Sequence, residues 1–246
     1  MQVIFDKELF DEIPGLCVGI IALRAADNRG VNQEADAFRS RCCTEANLLL
    51  KINPHMADPE IDRYARVMEK LSMKGVQTAL MDVFADYLEG LKSGQEPDEE
   101  NPEPEMLSLP KKADLEELTG SDILERRNPV SDMIRGAMLK FHVEIHAYDM
   151  GDRTRPLYVR KNDGRWNVYL GEDLATEDWL GSGEQAGKVT ADSENILILI
   201  TGFAPNRKKV ASARNELARR MKSAFDRTAE VGWLEGETHE FTADIG

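Results

Sequence analysis

The sequence is short of cysteine, of aromatic residues and of positive charge, and each shortage excludes something. Three cysteines, Cys17, Cys42 and Cys43, are too few and too badly spaced for a disulfide framework, and the adjacent pair could hardly bridge without strain. Met1–Glu12 lacks the basic-then-apolar order of a secretory signal. Reduced thiols in the cytoplasm are therefore the expectation. No run of 18 apolar residues exists, so no transmembrane helix is expected. The formal net charge of -14 opposes non-specific nucleic-acid binding, so a nucleic-acid contact has to come from a local basic patch. No Walker A or G-x-G-x-x-G pattern occurs, which removes the common nucleotide-binding loops.

What is present is a core. Hydrophobic residues make up 41% of the 246, well above the level of disordered chains. The length fits one domain carrying a long insertion. The run from Leu16 to Arg24 is apolar on both faces, opens after Pro14-Gly15 and closes at the turn residues Asp27-Asn28-Arg29-Gly30. That reads as a buried strand. Helical spacing follows from Ala35 to Lys51, with Phe38, Cys42, Leu49 and Ile52 as its apolar positions. Asp58 before Pro59 reads as the N-cap of a second helix, and Leu80, Val83, Phe84, Tyr87 and Leu88 mark a third.

The pattern then breaks. Residues 94–110 hold four prolines among many acids, and between Glu89 and Glu125 twelve acidic residues face three basic ones. Such a stretch reads as a flexible acidic insertion, with an acidic arm for a basic partner as the alternative. Asn128-Pro129 caps a new helix, Val130 to about Phe141. Alternation from Phe141 to Asp149 predicts a strand. Leu157 to Leu170 reads as a hairpin turning at Asn162-Asp163-Gly164, and Ile196–Ile200 as the clearest buried strand. Pro205-Asn206 precedes a long amphipathic helix, Arg207 to Arg227. Alternating strands and helices predict an α/β fold, one mixed β-sheet packed by helices.

Chemistry concentrates in three places. His142, Glu144 and His146 alternate, so on one strand they share a face. Two imidazoles and a carboxylate suit a metal, a general base, or simply a polar sheet face. His146 is the candidate base. Asp27 and Asn28 end the first strand, where α/β sheets often bind ligands, although ordinary turn chemistry also explains them. Asn128 and Asp132 begin a helix, as a cap and a dipole-compensating acid, or as pocket residues beside free backbone N–H groups. The last helix carries eight basic residues against Glu216 and Asp226. Arg207, Lys208, Arg214 and Arg219 are its candidate phosphate contacts, the alternative being an ordinary solvent face.

The order of several short pieces resembles a known family. Phe10, Ile13-Pro14-Gly15-Leu16 into Val18-Gly19-Ile20, Asp27-Asn28, Asn128-Pro129-Val130 with Asp132, Leu139-Lys140-Phe141, Tyr148-Asp149-Met150 and the closing strand-turn-helix together resemble a free-standing B3/B4 (tRNA-binding, editing-type) domain of the phenylalanyl-tRNA synthetase beta chain. The chain departs from that pattern at Ser72–Thr78, where the family shows Gly-x-x-Pro and an Arg-Ser-Ser helix start, and at Arg135, where asparagine is common. The resemblance implies a pocket at the edge of the sheet for an aminoacyl or amino-acid-like ligand. It implies hydrolysis of a mischarged aminoacyl-tRNA in trans, and tRNA as partner. It implies no cofactor and no metal. His146 and Asn28 would then be catalytic, and Arg24, Asn128, Asp132, His142 and Asp149 would bind the ligand. The rival expectation is a non-catalytic module binding a small molecule or a protein.

Overall fold

Two fully apolar strands set the architecture. Leu16–Leu23 (β2) and Ile196–Phe203 (β7) are buried along their whole length and pair antiparallel, Leu16 opposite Phe203 and Leu23 opposite Ile196. In the computed structural model they are the inner strands of a four-stranded antiparallel sheet, β3-β7-β2-β8, with Glu144–Asp149 (β3) and Ala229–Glu235 (β8) at its edges. The structure describes residues 1–53, 55–71, 77–93, 123–152, 154–181 and 187–243. The acidic insertion at 94–110 and most of Ser72–Thr78 lie outside them.

A second sheet takes the remaining strands in the order β6-β5-β4-β1-β9. Gln2–Phe5 (β1) pairs parallel with Leu157–Asn162 (β4) and antiparallel with Glu240–Thr242 (β9), so this sheet is mixed. Arg165–Leu170 (β5) returns from β4 as the expected hairpin, and Asp173–Thr176 (β6) follows. The fold is thus α/β, as composition and patterning predict, but with two sheets where one was expected. Strands β1 and β9, which extend the β4–β5 hairpin into a sheet of its own, account for the difference. They are only four and three residues long, so they carry little signal.

Helices cover one face of the four-stranded sheet. Gln33–Ile52 (α2), Asp58–Lys70 (α3), Ala79–Ser93 (α4), Pro129–Phe141 (α5) and Arg207–Phe225 (α6) follow the short Lys7–Glu12 (α1) in chain order. Helix α6 packs on β2, β7 and β8, and α5 packs on α2 and α6. Close approach fixes the glycines here. A Cβ on Gly202 would meet Val210 Cγ2 at 2.3 Å, and one on Gly136 would meet the Arg39 backbone at 3.3 Å. The opposite face of the sheet meets β9, where Gly232 leaves room for the Phe241 ring. One buried cluster runs through both sheets and the helices. Among the described residues no helix is long and apolar enough to cross a membrane.

Three local expectations are corrected. In α2 the buried stripe is Ala35, Phe38, Cys42, Cys43 and Ala46, while Leu49 and Ile52 are 44% and 83% exposed. The N-cap of α3 is Ala57, with no side-chain cap, and Asp58 is already helical. Strand β3 begins at Glu144 rather than Phe141, because α5 runs on to Phe141 and ends at His142 in the left-handed region, φ 54.

Candidate functional site

The open edge of β3 forms the floor of a cleft of about 350 Å³ between α4 and α5. One side of β3 pairs with β7. On the other, the Asp149 N–H donates to Gly187 O at 2.7 Å and Tyr148 forms a single bridge to Lys188. The chain then peels away into the turn at Thr190–Ser193. By the period of two along a strand, Ala147 and Ile145 direct their backbone groups the same way as Asp149, and both line the cleft.

Helix spacing supplies the walls. Asp82 and Asp86 stand four residues apart on α4, and Ser131 and Arg135 four apart on α5, so each pair shares a helix face. Ile134, Met138, Val83 and Val189 provide apolar surface. Arg127 and Lys188 are exposed at the rim. Asp86 is shared by two guanidiniums, accepting from Arg135 Nη2 at 2.8 Å and Arg127 Nη2 at 3.2 Å. Arg135 is buried, and its Nη1 donates to Glu125 O at 2.7 Å. Burial, reinforced by Arg127, pushes the Arg135 guanidinium below its usual range despite Asp86.

Behind this wall lies a polar group on β3. Both carboxylate oxygens of Glu144 accept the Leu80 N–H, at 3.3 and 3.2 Å, near the start of α4. Glu144 Oε1 also lies 3.1 Å from His146 Nε2. Glu144 and Tyr148 are fully buried, and the His146 side chain is 1% exposed. The Tyr64 hydroxyl, from α3, accepts the Glu144 N–H at 3.0 Å and donates to Thr201 O.

The remaining predicted residues divide clearly. Asn28 and Asn128 are brought into direct contact, Asn28 Nδ2 donating to Asn128 Oδ1 at 2.9 Å and to Thr190 O at 2.7 Å. Asn28 Oδ1 accepts the Val130 N–H, and Asn128 caps α5 through the Ser131 N–H at 3.0 Å, as expected. Asp149 joins the same loop, accepting from Ser193 Oγ at 2.7 Å, while Thr190 N donates to that Oγ. This network clips the end of β2 to the start of α5 beside the cleft. Both Asn28 amide hydrogens and its oxygen are engaged in structure and the residue is 1% exposed, which leaves it out of reach of a substrate. Arg24 lies elsewhere, paired with Glu230 at 2.6 Å. Asp132 is buried away from the cleft lining and accepts the Arg127 N–H at 2.9 Å; burial raises its carboxyl pKa. His142 packs edge-on to Phe84, and burial, with Lys209, holds its imidazole below the ordinary range. His142 therefore leaves the strand face that Glu144 and His146 share.

The basic helix pairs half of its eight basic residues with acidic neighbours. Arg207 chelates Glu235, with contacts from 2.7 to 3.1 Å, and lies over Trp233. Arg214 donates to Gly232 O and Arg220 to Glu34, while Lys209 reaches Glu60 and Arg219 lies 3.8 Å from Glu216. Of the four predicted phosphate contacts, Lys208 alone shows no ion pair or hydrogen bond among the described residues.

Sequence reasoning named only His146 among the residues bordering the cleft. Arg127, Asp82, Asp86, Ser131 and Lys188 were missed, and Arg135 was noticed only as a departure from a family pattern. The paired i, i+4 spacings on two neighbouring helices were the available signal. No family model matches the chain, and no curated protein matches it.

Proposed function

We propose that this protein binds a small amino-acid-like ligand in the cleft between α4, α5 and the edge of β3. The observation that carries the reading is the lining itself, with carboxylates and cations on its rim and apolar side chains within. Such a surface suits a ligand with a charged head and an apolar body, and a volume of about 350 Å³ is at the lower end of small-molecule sites. A pocket at a sheet edge is also what a likeness to the B3/B4 editing-type module implies. Strand β2, helix α5 and the β7–α6 unit pack together, but the hollow lies one strand over, against β3 and α4. Calorimetric titration with phenylalanine and tyrosine tests the reading. Heat of binding that disappears when Ile134→Trp fills the cleft supports it; no heat from either amino acid, or heat unaffected by that variant, overturns it.

A second reading, hydrolysis of a mischarged aminoacyl-tRNA in trans, is favoured by one observation. His146 Nε2 lies 3.1 Å from Glu144 Oε1 without the alignment of a hydrogen bond, and an imidazole beside a carboxylate is the pairing from which a general base is built. The base would take a proton from water attacking the ester carbonyl and return it to the departing ribose oxygen. Two facts place this reading second: the His146 ring is 1% exposed, and half of the basic residues of the last helix are paired with acidic neighbours. Deacylation of tyrosine-charged phenylalanine tRNA decides it. Turnover that falls at least tenfold in His146→Ala supports it, and turnover equal to the uncatalysed rate rejects it.

A further inference from the structure

We propose that the cleft seats an anionic group, a carboxylate or a phosphate, against Arg127, Arg135 and Lys188, with Asp86 acting as an internal counter-ion that holds the two arginines in place. The proposal rests on the cleft being a ligand site and names the chemistry it selects.

Charge is the first argument. Around this cleft three cations face two carboxylates, in a chain whose net charge is -14. A local excess of positive charge in so acidic a protein marks where an anion would settle. The second argument is incomplete compensation. Asp86 is one carboxylate divided between two guanidiniums. Lys188 is exposed at the rim and makes no ion pair with any described residue. The third is Arg135 itself. It is 4% exposed, and its Nε is buried without a hydrogen-bond partner among the described residues. A buried guanidinium that shares its carboxylate with a second one is costly to hold, and the cost falls when another negative charge arrives beside the pair. The downward pull of burial and Arg127 on Arg135 points the same way.

Geometry limits the ligand further. Arginine forks match planar carboxylate and phosphate oxygens, and the exposed Lys188 ammonium adds a point charge. Ile134, Met138 and Val189 leave an apolar wall beside the cations. The class that fits is a small acid or phosphate ester with an apolar body.

The test uses the full chain and four probes, inorganic phosphate, N-acetylphenylalanine, phenylalanine amide and N-acetylphenylalanine amide, titrated by calorimetry and thermal shift. Binding of N-acetylphenylalanine or phosphate that weakens at least tenfold in an Arg127→Gln/Lys188→Gln double variant is the expected result. Both substituted residues are exposed, so the variant should fold, and an unchanged circular-dichroism spectrum verifies that. Phosphate binding alone points to a phosphate ester as the source; N-acetylphenylalanine alone points to a carboxylic acid. Asp86→Asn should tighten either anion severalfold, because the ligand then takes the place of the carboxylate the two arginines share. If the two amides bind as well as the acid, and Ile134→Trp abolishes all of them, the cleft is a ligand site but the anion seat is wrong. Anion binding that is indifferent to the double variant also overturns the seat. If no probe binds, both this proposal and the reading beneath it fall.

Discussion

Replacing Tyr64 by phenylalanine removes one oxygen and should cost about 2–6 kcal/mol. The hydroxyl sits where β3 starts, taking the Glu144 N–H and giving its own proton to Thr201 O. These two residues face each other in the β3–β7 register, so the hydroxyl is inserted into the ladder. Without it, a buried N–H and a buried C=O lose their partner together. Each group left unsatisfied costs about 1–3 kcal/mol, so the two together come to about 2–6 kcal/mol. Direct pairing across the gap would recover about 1 kcal/mol, but the ring, packed 5.2 Å from Phe203, keeps the strands apart. Burial also raises the phenol pKa, so the hydroxyl remains a neutral donor across any usable pH. Urea denaturation followed by circular dichroism measures the effect as a lower midpoint at unchanged slope. Tyr158→Phe, on a half-buried ring of β4, serves as the comparison and should stay within about 0.5 kcal/mol. A Tyr64→Phe loss no larger than that would mean the ladder closes without the hydroxyl, and the account of how β3 is held would fail.

Three further outcomes follow from buried groups. Burial raises the thiol pKa to about 12 at Cys17 and Cys42 and to about 11 at Cys43, so none should react with a thiol reagent at pH 8 except through unfolding; rapid labelling of the native protein would contradict that. Asn28→Asp should be worse than Asn28→Ala, because a carboxylate would face the acceptors Asn128 Oδ1 and Thr190 O at 2.9 and 2.7 Å; a loss of about 3 kcal/mol or more by urea denaturation at pH 7 is expected, and equal losses would refute the hydrogen-bond assignment. His142 has a folded-state pKa below its unfolded value of 6.5, so the unfolded chain binds the proton first and the stability it contributes is present above that value and lost as pH falls beneath it; His142→Gln should flatten stability against pH in this window, and an unchanged profile would count against the burial.

The elements that could be read from sequence were those in which one physical signal dominated. Strands β2 and β7 are apolar on both faces, and no surface element looks like that. Asn128-Pro129 combines a cap with a residue suited to the first turn, and the cap bond forms. Signals that depended on partners misled. Leu49 and Ile52 keep helical spacing, but the stripe that α2 buries is set by Gly136 of α5 and by α6, and it runs along Phe38 and Cys42 instead. The alternation from Phe141 onward was real, yet α5 is long enough to include Phe141, and the strand can begin only after the left-handed turn at His142.

The candidate site was harder to read for a related reason. Turn residues such as Asn28 and Asp149 look functional because their side chains can do chemistry, and the fold uses that capacity on itself, joining Asn28, Asn128, Thr190, Ser193 and Asp149 into one clip. Basic residues on α6 counted as a phosphate platform only while their acidic partners, Glu34, Glu60 and Glu235, lay distant in sequence. Arg135 shows the converse. Helical position alone gives it an ordinary amphipathic place, and only the packing of α4 against α5 buries it with half a counter-ion. A charge becomes a site when the fold withholds its partner, and that shortfall is a property of three-dimensional neighbours. The same logic ties the cleft to the core: Glu144 holds the first turn of α4 through Leu80 N, Tyr64 holds Glu144, and so the distance between the Asp86 and Arg135 walls is set from inside the sheet.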